Sequence, residues 1–120
     1  MKRIVLKSKI HRATITDTNV DYDGSLTLDG VLMREANLIP YEQIQVYNIT
    51  NGERFTTYLI KGKDNSGEVV VNGAAAKKAN SGDKVIIVAY ATMDEDEMDF
   101  FVPRVLLVDD QNKITSRRNP

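Results

Sequence analysis

Cysteine is absent from the 120 residues, so disulfides, thiolate metal sites and a cysteine nucleophile are all excluded. A small fold that stands without disulfides fits a reducing compartment. There is also no surplus of basic charge. Sixteen Lys and Arg face 17 Asp and Glu, for a formal charge of -1. Such a balance offers no positive field to a phosphate backbone, and nucleic-acid binding is disfavoured. Long apolar runs are missing too. Near the start, "MKRIVLKSKIHR" holds only Ile4, Val5 and Leu6 in succession, too short for the core of a signal peptide. No stretch reaches the roughly 20 apolar residues that span a bilayer as a helix. A cytoplasmic protein, without membrane or nucleic-acid partners, is the expectation.

Histidine is nearly absent as well. With His11 alone, a Ser-His-Asp triad is allowed by composition, but no "GxSxG" elbow supports it. A single strand histidine is more often a hydrogen-bonding group than a catalytic base. The acidic run Asp94 to Asp99 lacks the spacing and glycine of a calcium loop and reads as a solvated surface loop. "VNGAAA" is not a phosphate-binding "GxxxxGK[ST]". No metal site is expected.

What is present is a series of short strands cut by turns. At this length one domain over residues 1–120 is expected. "RIVLK" and "HRATIT" read as two strands, with His11, Ala13 and Ile15 on one face of the second. "SLTLD" turns Leu26 and Leu28 inward. Asp29 then caps a short helix with Leu32, Met33 and Ala36 at helical spacing, ended by Asn37 and Pro40. Asn51-Gly52 joins "EQIQVYNIT" to "ERFTTYLIKG" and predicts a type I′ hairpin turn, in which both central residues take positive φ. "EVVV" is a further strand, and "NGAAAKKANSGD" a helical turn stopped at Ser81-Gly82. "KVIIVAYATM" is too apolar to alternate, so it belongs at the centre of the sheet. "VPRVLLVD" completes the set, and residues 111–120 read as a frayed tail. Six or seven short strands with two small helices point to a mainly β fold, closed as a barrel because an open sheet this small would expose its edges.

Within "NITNGERFTTYLIKG", Arg54 offers a planar fork for a carboxylate, Tyr58 a proton and Thr57 a hydrogen bond. Strict alternation sets Arg54 and Tyr58 on one face and Thr57 on the other. A site using all three needs an irregular strand or a subunit boundary.

"KSKIHRATIT", "YDGS", "VYNITNGERFTTY" and "VNGAAAKKANSGDKVII" occur in the order and spacing of the bacterial pyruvoyl-dependent aspartate 1-decarboxylases, which the chain resembles from residue 1 to about residue 108. The resemblance implies a double-psi β-barrel with small helices, assembled as a homotetramer with active sites between subunits. It implies a proenzyme that cuts itself between Gly24 and Ser25 into a short β chain (1–24) and a longer α chain (25–120). Ser25 then becomes a covalent pyruvoyl group, which forms a Schiff base with L-aspartate and releases carbon dioxide and β-alanine for pantothenate and coenzyme A synthesis.

By the same resemblance Thr57 is the oxyanion donor in self-cleavage and Tyr58 the proton donor in turnover. Arg54 and Lys9 bind substrate carboxylates. Thr57, Asn72, Gly73, Ala74 and Ala75 line the substrate, with His11 and Tyr22 in support. Glycine at position 24 is expected to ease approach to the reacting carbonyl and to tolerate unusual backbone angles. Tyr47 is taken as a packing residue. A separate maturation factor is known for some members. Two alternatives stay open: a non-enzymatic β-barrel binding or assembly module, and a decarboxylase of another acidic amino acid such as glutamate.

Overall fold

A computed structural model describes residues 1–118. Nine strands run in chain order as β1 (Lys2–Thr14), β2 (Asp17–Asn19), β3 (Ser25–Leu28), β4 (Gln43–Asn48), β5 (Arg54–Lys61), β6 (Val69–Asn72), β7 (Lys84–Asp94), β8 (Arg104–Val108) and β9 (Ile114–Arg118). Between them lie helix α1 (Gly30–Glu35), a 3-10 helix (Gly73–Lys78) and helix α2 (Glu95–Met98). The strands pair in the order β2-β6-β3-β5-β4-β7-β1-β8-β9.

This order closes on itself, because β1 continues into β2 after only two residues. At that junction the Thr16 N–H donates to the Val69 carbonyl at 2.8 Å, and the Val69 N–H donates to Thr16 Oγ1 at 3.0 Å. The β1–β2 segment therefore pairs with β7 at one end and β6 at the other, and a ring of strands results. Three of the pairings, β1 with β8, β2 with β6 and β3 with β5, are parallel. β7 is central between β4 and β1, as its unbroken apolar run predicts. Ile10, Ile15, Leu26, Leu59, Val71 and Ile87, from different parts of the ring, are fully or almost fully buried inside it. At about 1.5–3 kcal/mol for each large aliphatic side chain taken out of water, these residues supply the main driving force for closure.

β1 departs from the expected pair of strands. It is one 13-residue strand with two bulges. Ile10 pairs with Ile87 and Ala13 with Val85, so β1 uses one extra residue there, and Arg12 takes φ 66 to absorb it. The bulge changes which residues face inward. Ser8, Ile10, Ala13 and Ile15 are buried, and His11 goes to the outer face with Lys9. The expectation that His11 shares a face with Ala13 and Ile15 is therefore corrected.

The connection at Asn51-Gly52 is also different. Gly52 takes φ 79, but Asn51 is not in the left-handed region, so the turn is not type I′. A longer loop is closed by the Gly52 N–H on the Asn48 carbonyl at 2.9 Å. Buried Asn48 directs it, since its Oδ1 accepts from the N–H groups of Thr50 and Asn51. The acidic run forms α2 rather than a loop, with a capping box between Asp94 and Glu97, and remains largely exposed. The frayed-tail expectation fails over most of its length. Buried Asn112 donates to the carbonyls of Thr14 and Gly67, and its Oδ1 accepts from the Thr14 N–H, so β9 is tied back to β8. Residues 119–120 of that tail lie outside the described residues.

Candidate active site

Ser25 opens β3 and is completely buried. Its neighbour across the antiparallel pair is Asn72, the last residue of β6. Asn72 is itself 3 % exposed, and its Nδ2 donates to Ser25 Oγ at 3.1 Å and to Thr27 Oγ1 at 3.0 Å. The Ser25 hydroxyl donates in turn to the Asp23 carbonyl at 3.0 Å. The chain is thus folded back just before Ser25, whose hydroxyl is held between the Asp23 carbonyl and the Asn72 amide. Downstream, Asp29 fixes the other end of β3. Its carboxylate accepts from the N–H groups of Val31, Asn65 and Gly67, which caps α1 and anchors the turn leading into β6.

Gly24 does not use the backbone freedom expected of it. Its φ is not positive, and a Cβ added there would meet nothing within 4 Å beyond its chain neighbours. The glycine beside this segment with no room for a side chain is Gly73, at the start of the 3-10 helix, with φ 71. A Cβ on Gly73 would stand 2.5 Å from Gly24 Cα and 3.0 Å from the Tyr22 carbonyl oxygen. Ala74 is exposed, and Ala75 is half-buried against the core. Tyr22 is exposed on the strand-to-strand connection before Gly24.

β5 lies on the other side of β3, in parallel register with Leu26 opposite Leu59. The paired register runs from Leu26–Leu59 to Leu28–Lys61, so Thr57 and Tyr58 lie on β5 just before the pairing begins, toward the Ser25 end of β3. Phe55 and Leu59 pack toward the core. Thr57 shares their face, while Arg54 and Tyr58 take the opposite one, as alternation requires. Tyr58 lies against Tyr41, with ring centroids 6.4 Å apart.

Arg54 sits at the exposed start of β5, paired with Tyr47 across the hairpin. Its guanidinium lies over the Tyr47 ring, 4.5 Å from the centroid. The Tyr47 hydroxyl is 2.9 Å from that of Tyr90, and this hydrogen bond leads the effects that raise the Tyr47 pKa. Tyr47 is therefore more than packing. It holds the face of the arginine fork, and the hairpin register is the sequence signal that could have revealed it. Arg54 and Tyr47 border a shallow cleft of about 280 Å³ that also takes in Ile49 and Ile86.

Lys9 and His11 lie elsewhere on the barrel, on β1. The His11 Nδ1 is buried without a hydrogen-bond partner among the described residues. Burial first, and then the charges of Lys9, Arg12 and Arg118, hold the imidazole below its ordinary pKa of 6.5. Among the described residues no hydrogen bond joins Lys9, His11 or Arg54 to Ser25, whose side-chain partners are Asp23 and Asn72. The single chain thus sets Ser25 against Asn72 and Gly73 against Gly24, and joins none of Lys9, His11 or Arg54 to Ser25 by a hydrogen bond among the described residues.

The model of the aspartate decarboxylase family matches residues 1–115. The chain belongs to that family. It is 52 % identical over 115 residues to the aspartate 1-decarboxylase of Ruthia magnifica, covering 96 % of this chain and 97 % of the relative. It is 50 % identical to the enzymes of the same name from Syntrophus aciditrophicus, covering 95 % and 98 %, and Thermoanaerobacter pseudethanolicus, covering 94 % and 97 %. The family match runs through the start of β9, past the point where the sequence motifs stop. The family's double-psi barrel agrees with the closed strand ring and its parallel pairs. No helix among the described residues is long and apolar enough to cross a membrane.

Proposed function

We propose that this chain is an L-aspartate α-decarboxylase of the cytoplasm, releasing β-alanine and carbon dioxide toward pantothenate and coenzyme A synthesis, after self-cleavage between Gly24 and Ser25. The observation that carries the reading is the buried Ser25 hydroxyl, hydrogen-bonded by Asn72 and flanked by the Gly24 peptide. A buried serine with an aimed amide donor suits an acyl shift. Its Oγ adds to the Gly24 carbonyl, the C–N bond breaks, and the hydroxyl proton passes to the departing amine. Negative charge develops on the carbonyl oxygen, so a fixed donor lowers the barrier. Thr57, on β5 just before its paired stretch with β3, is the residue we assign to that task.

The same surroundings fit a pyruvoyl group at residue 25, because Asn72 Nδ2 is a donor for a carbonyl oxygen as well as for a hydroxyl. That group supplies a ketone to hold the substrate amine and to draw off the electrons released with carbon dioxide. Tyr58 protonates the substrate α-carbon afterwards. Arg54 and Lys9 orient the two carboxylates, Arg54 through bidentate hydrogen bonds. Gly73, Ala74 and Ala75 keep side-chain bulk away from the substrate, with Tyr22 and His11 at the margin.

Lys9, His11 and Arg54 make no hydrogen bond to Ser25 among the described residues, and a homotetramer with sites between subunits would let another copy supply them. Ile39, Tyr41 and Phe100, respectively 65, 78 and 91 % exposed, supply apolar surface for such contacts.

The test is the intact mass of the purified, denatured protein, followed by carbon dioxide release from aspartate and from glutamate. A fragment ending at Gly24, with a longer fragment one ammonia lighter than a serine-started chain, supports the reading. A chain that stays uncut, with and without a maturation factor, overturns it. Release from glutamate rather than aspartate would change the substrate but keep the chemistry.

A further inference from the structure

The glycine that self-cleavage depends on sterically is, we infer, Gly73 rather than Gly24, with Gly73 acting as a positioning residue whose bare Cα forms the wall that holds the scissile peptide against the Ser25 hydroxyl. The inference rests on the self-cleavage reading above and adds to it a residue outside the reacting pair.

Three features of the fold place Gly73 there. First, it follows Asn72 directly, and Asn72 is bound to Ser25 Oγ, so Gly73 leaves β6 at the level of the reacting hydroxyl. Second, its φ of 71 turns the chain sharply into the 3-10 helix, which brings its backbone over residues 22–24 rather than along β3. Third, the approach leaves no space. A Cβ at position 73 would lie 2.5 Å from Gly24 Cα, 2.6 Å from Gly24 N and 3.0 Å from the Tyr22 carbonyl oxygen. All three are backbone atoms, which cannot swing aside as a side chain does. Relief requires the Gly24 segment to retreat by about 1 Å, and a displacement of that size costs about a hundredfold in a reaction that depends on near-contact geometry.

Gly24 offers the contrast. It has no positive φ, and a methyl group placed on its Cα would find no atom within 4 Å beyond its chain neighbours Asp23 and Ser25, so its bare Cα relieves no collision with the rest of the fold. The step at stake is the acyl shift itself, in which the Oγ–C bond forms as the C–N bond breaks and one proton moves from oxygen to nitrogen. Displacing the Gly24 carbonyl carbon lengthens the distance over which the first of these bonds must form.

Positive φ complicates the test, since any side chain at such a position is strained whether or not it collides. Asparagine tolerates the left-handed region best among the other residues and keeps a Cβ. The experiment therefore compares Gly73→Asn with Gly52→Asn. Gly52 has φ 79, but an added Cβ there meets nothing within 4 Å. Both variants and the wild-type chain are purified, their melting temperatures recorded, and the uncut fraction followed by intact mass over time. The expected result is that Gly73→Asn cleaves about a hundredfold more slowly than wild type, while Gly52→Asn cleaves at the wild-type rate despite a comparable loss of melting temperature. Gly73→Ala, with the smallest possible side chain, is expected to be slowed in the same way. A folded Gly73→Asn or Gly73→Ala chain that cleaves as fast as wild type overturns the inference and leaves the self-cleavage reading intact. Equal slowing in Gly52→Asn also overturns it, by tracing the effect to strain. A wild-type chain that never cleaves brings down both.

Discussion

Around Ser25 the polar groups are buried and paired, whereas Lys9, His11 and Arg54 make no hydrogen bond to that cluster among the described residues. Ser25 and Asn72 satisfy each other within one chain, and Asp29 and Gly73 fix the backbone on either side. The His11 Nδ1 has no partner among the described residues, and Arg54 lies over a tyrosine ring. An unpaired buried donor or acceptor costs about 1–3 kcal/mol, so the His11 Nδ1 is a cost that the single chain does not offset. The difference suggests a division of labour. The groups for making the reactive centre are complete in one copy, and the groups for holding a dicarboxylate are completed by another.

The most severe way to break that comparison is Ser25→Ala. It removes the hydroxyl next to the Gly24 peptide and is expected to give a single uncut chain with no decarboxylation, seen by intact mass and carbon dioxide release. Tyr58→Phe should separate the two functions. Cleavage proceeds as in wild type, while turnover falls by about 10²–10⁴-fold, the range for losing a positioned general acid. Full activity in this variant would remove Tyr58 as the proton donor.

How far the sequence alone reveals these regions depends on backbone regularity. β3, α1 with its Asp29 cap, and central β7 follow from apolar spacing and capping chemistry, because nothing interrupts their period. The β1 face cannot be read this way. One extra residue between Ile10 and Ala13 reverses the facing of the stretch before it, back to the second bulge between Leu6 and Ser8, and a bulge leaves no mark in hydrophobic periodicity. The loop at Asn51-Gly52 escapes its dipeptide signal because the side chain of buried Asn48 captures the backbone N–H groups that a two-residue turn would have left to the strands. Gly24 and Ser25 stand out only through their motif. The steric demand of Gly73 is hidden because it arises from contact with a segment nearly 50 residues away in the chain.

Arg54→Ala is expected to have a smaller effect than either earlier change, and to show it in a different quantity. Loss of a charge-assisted pair to one substrate carboxylate raises KM for aspartate by about tenfold to a hundredfold, with cleavage at the wild-type rate. Slowed cleavage in this variant would break the proposed division, since it would place Arg54 in the self-processing machinery.

The smallest expected effect sharpens the comparison most, because it can be read from one side chain. His11 is the sole histidine, so its ring signals in an NMR titration need no sorting. Burial and the charges of Lys9, Arg12 and Arg118 lower its folded pKa from 6.5, which means that the unfolded chain binds the proton more readily. The stability contributed by the neutral ring is therefore complete above about pH 6.5 and is lost as pH falls through the folded value. Melting temperature should decline as pH is lowered from about 7 to about 5, and His11→Gln should decline less over the same interval. Protein concentration adds the decisive variable. If another copy covers this face with a carboxylate or a hydrogen-bond acceptor, the imidazolium gains a partner and the titration midpoint rises on assembly. A midpoint that stays below 6.5 and does not change between dilute and concentrated protein would mean that the cations of β1 face solvent in both states, and the substrate-binding half of the site would have to be sought elsewhere.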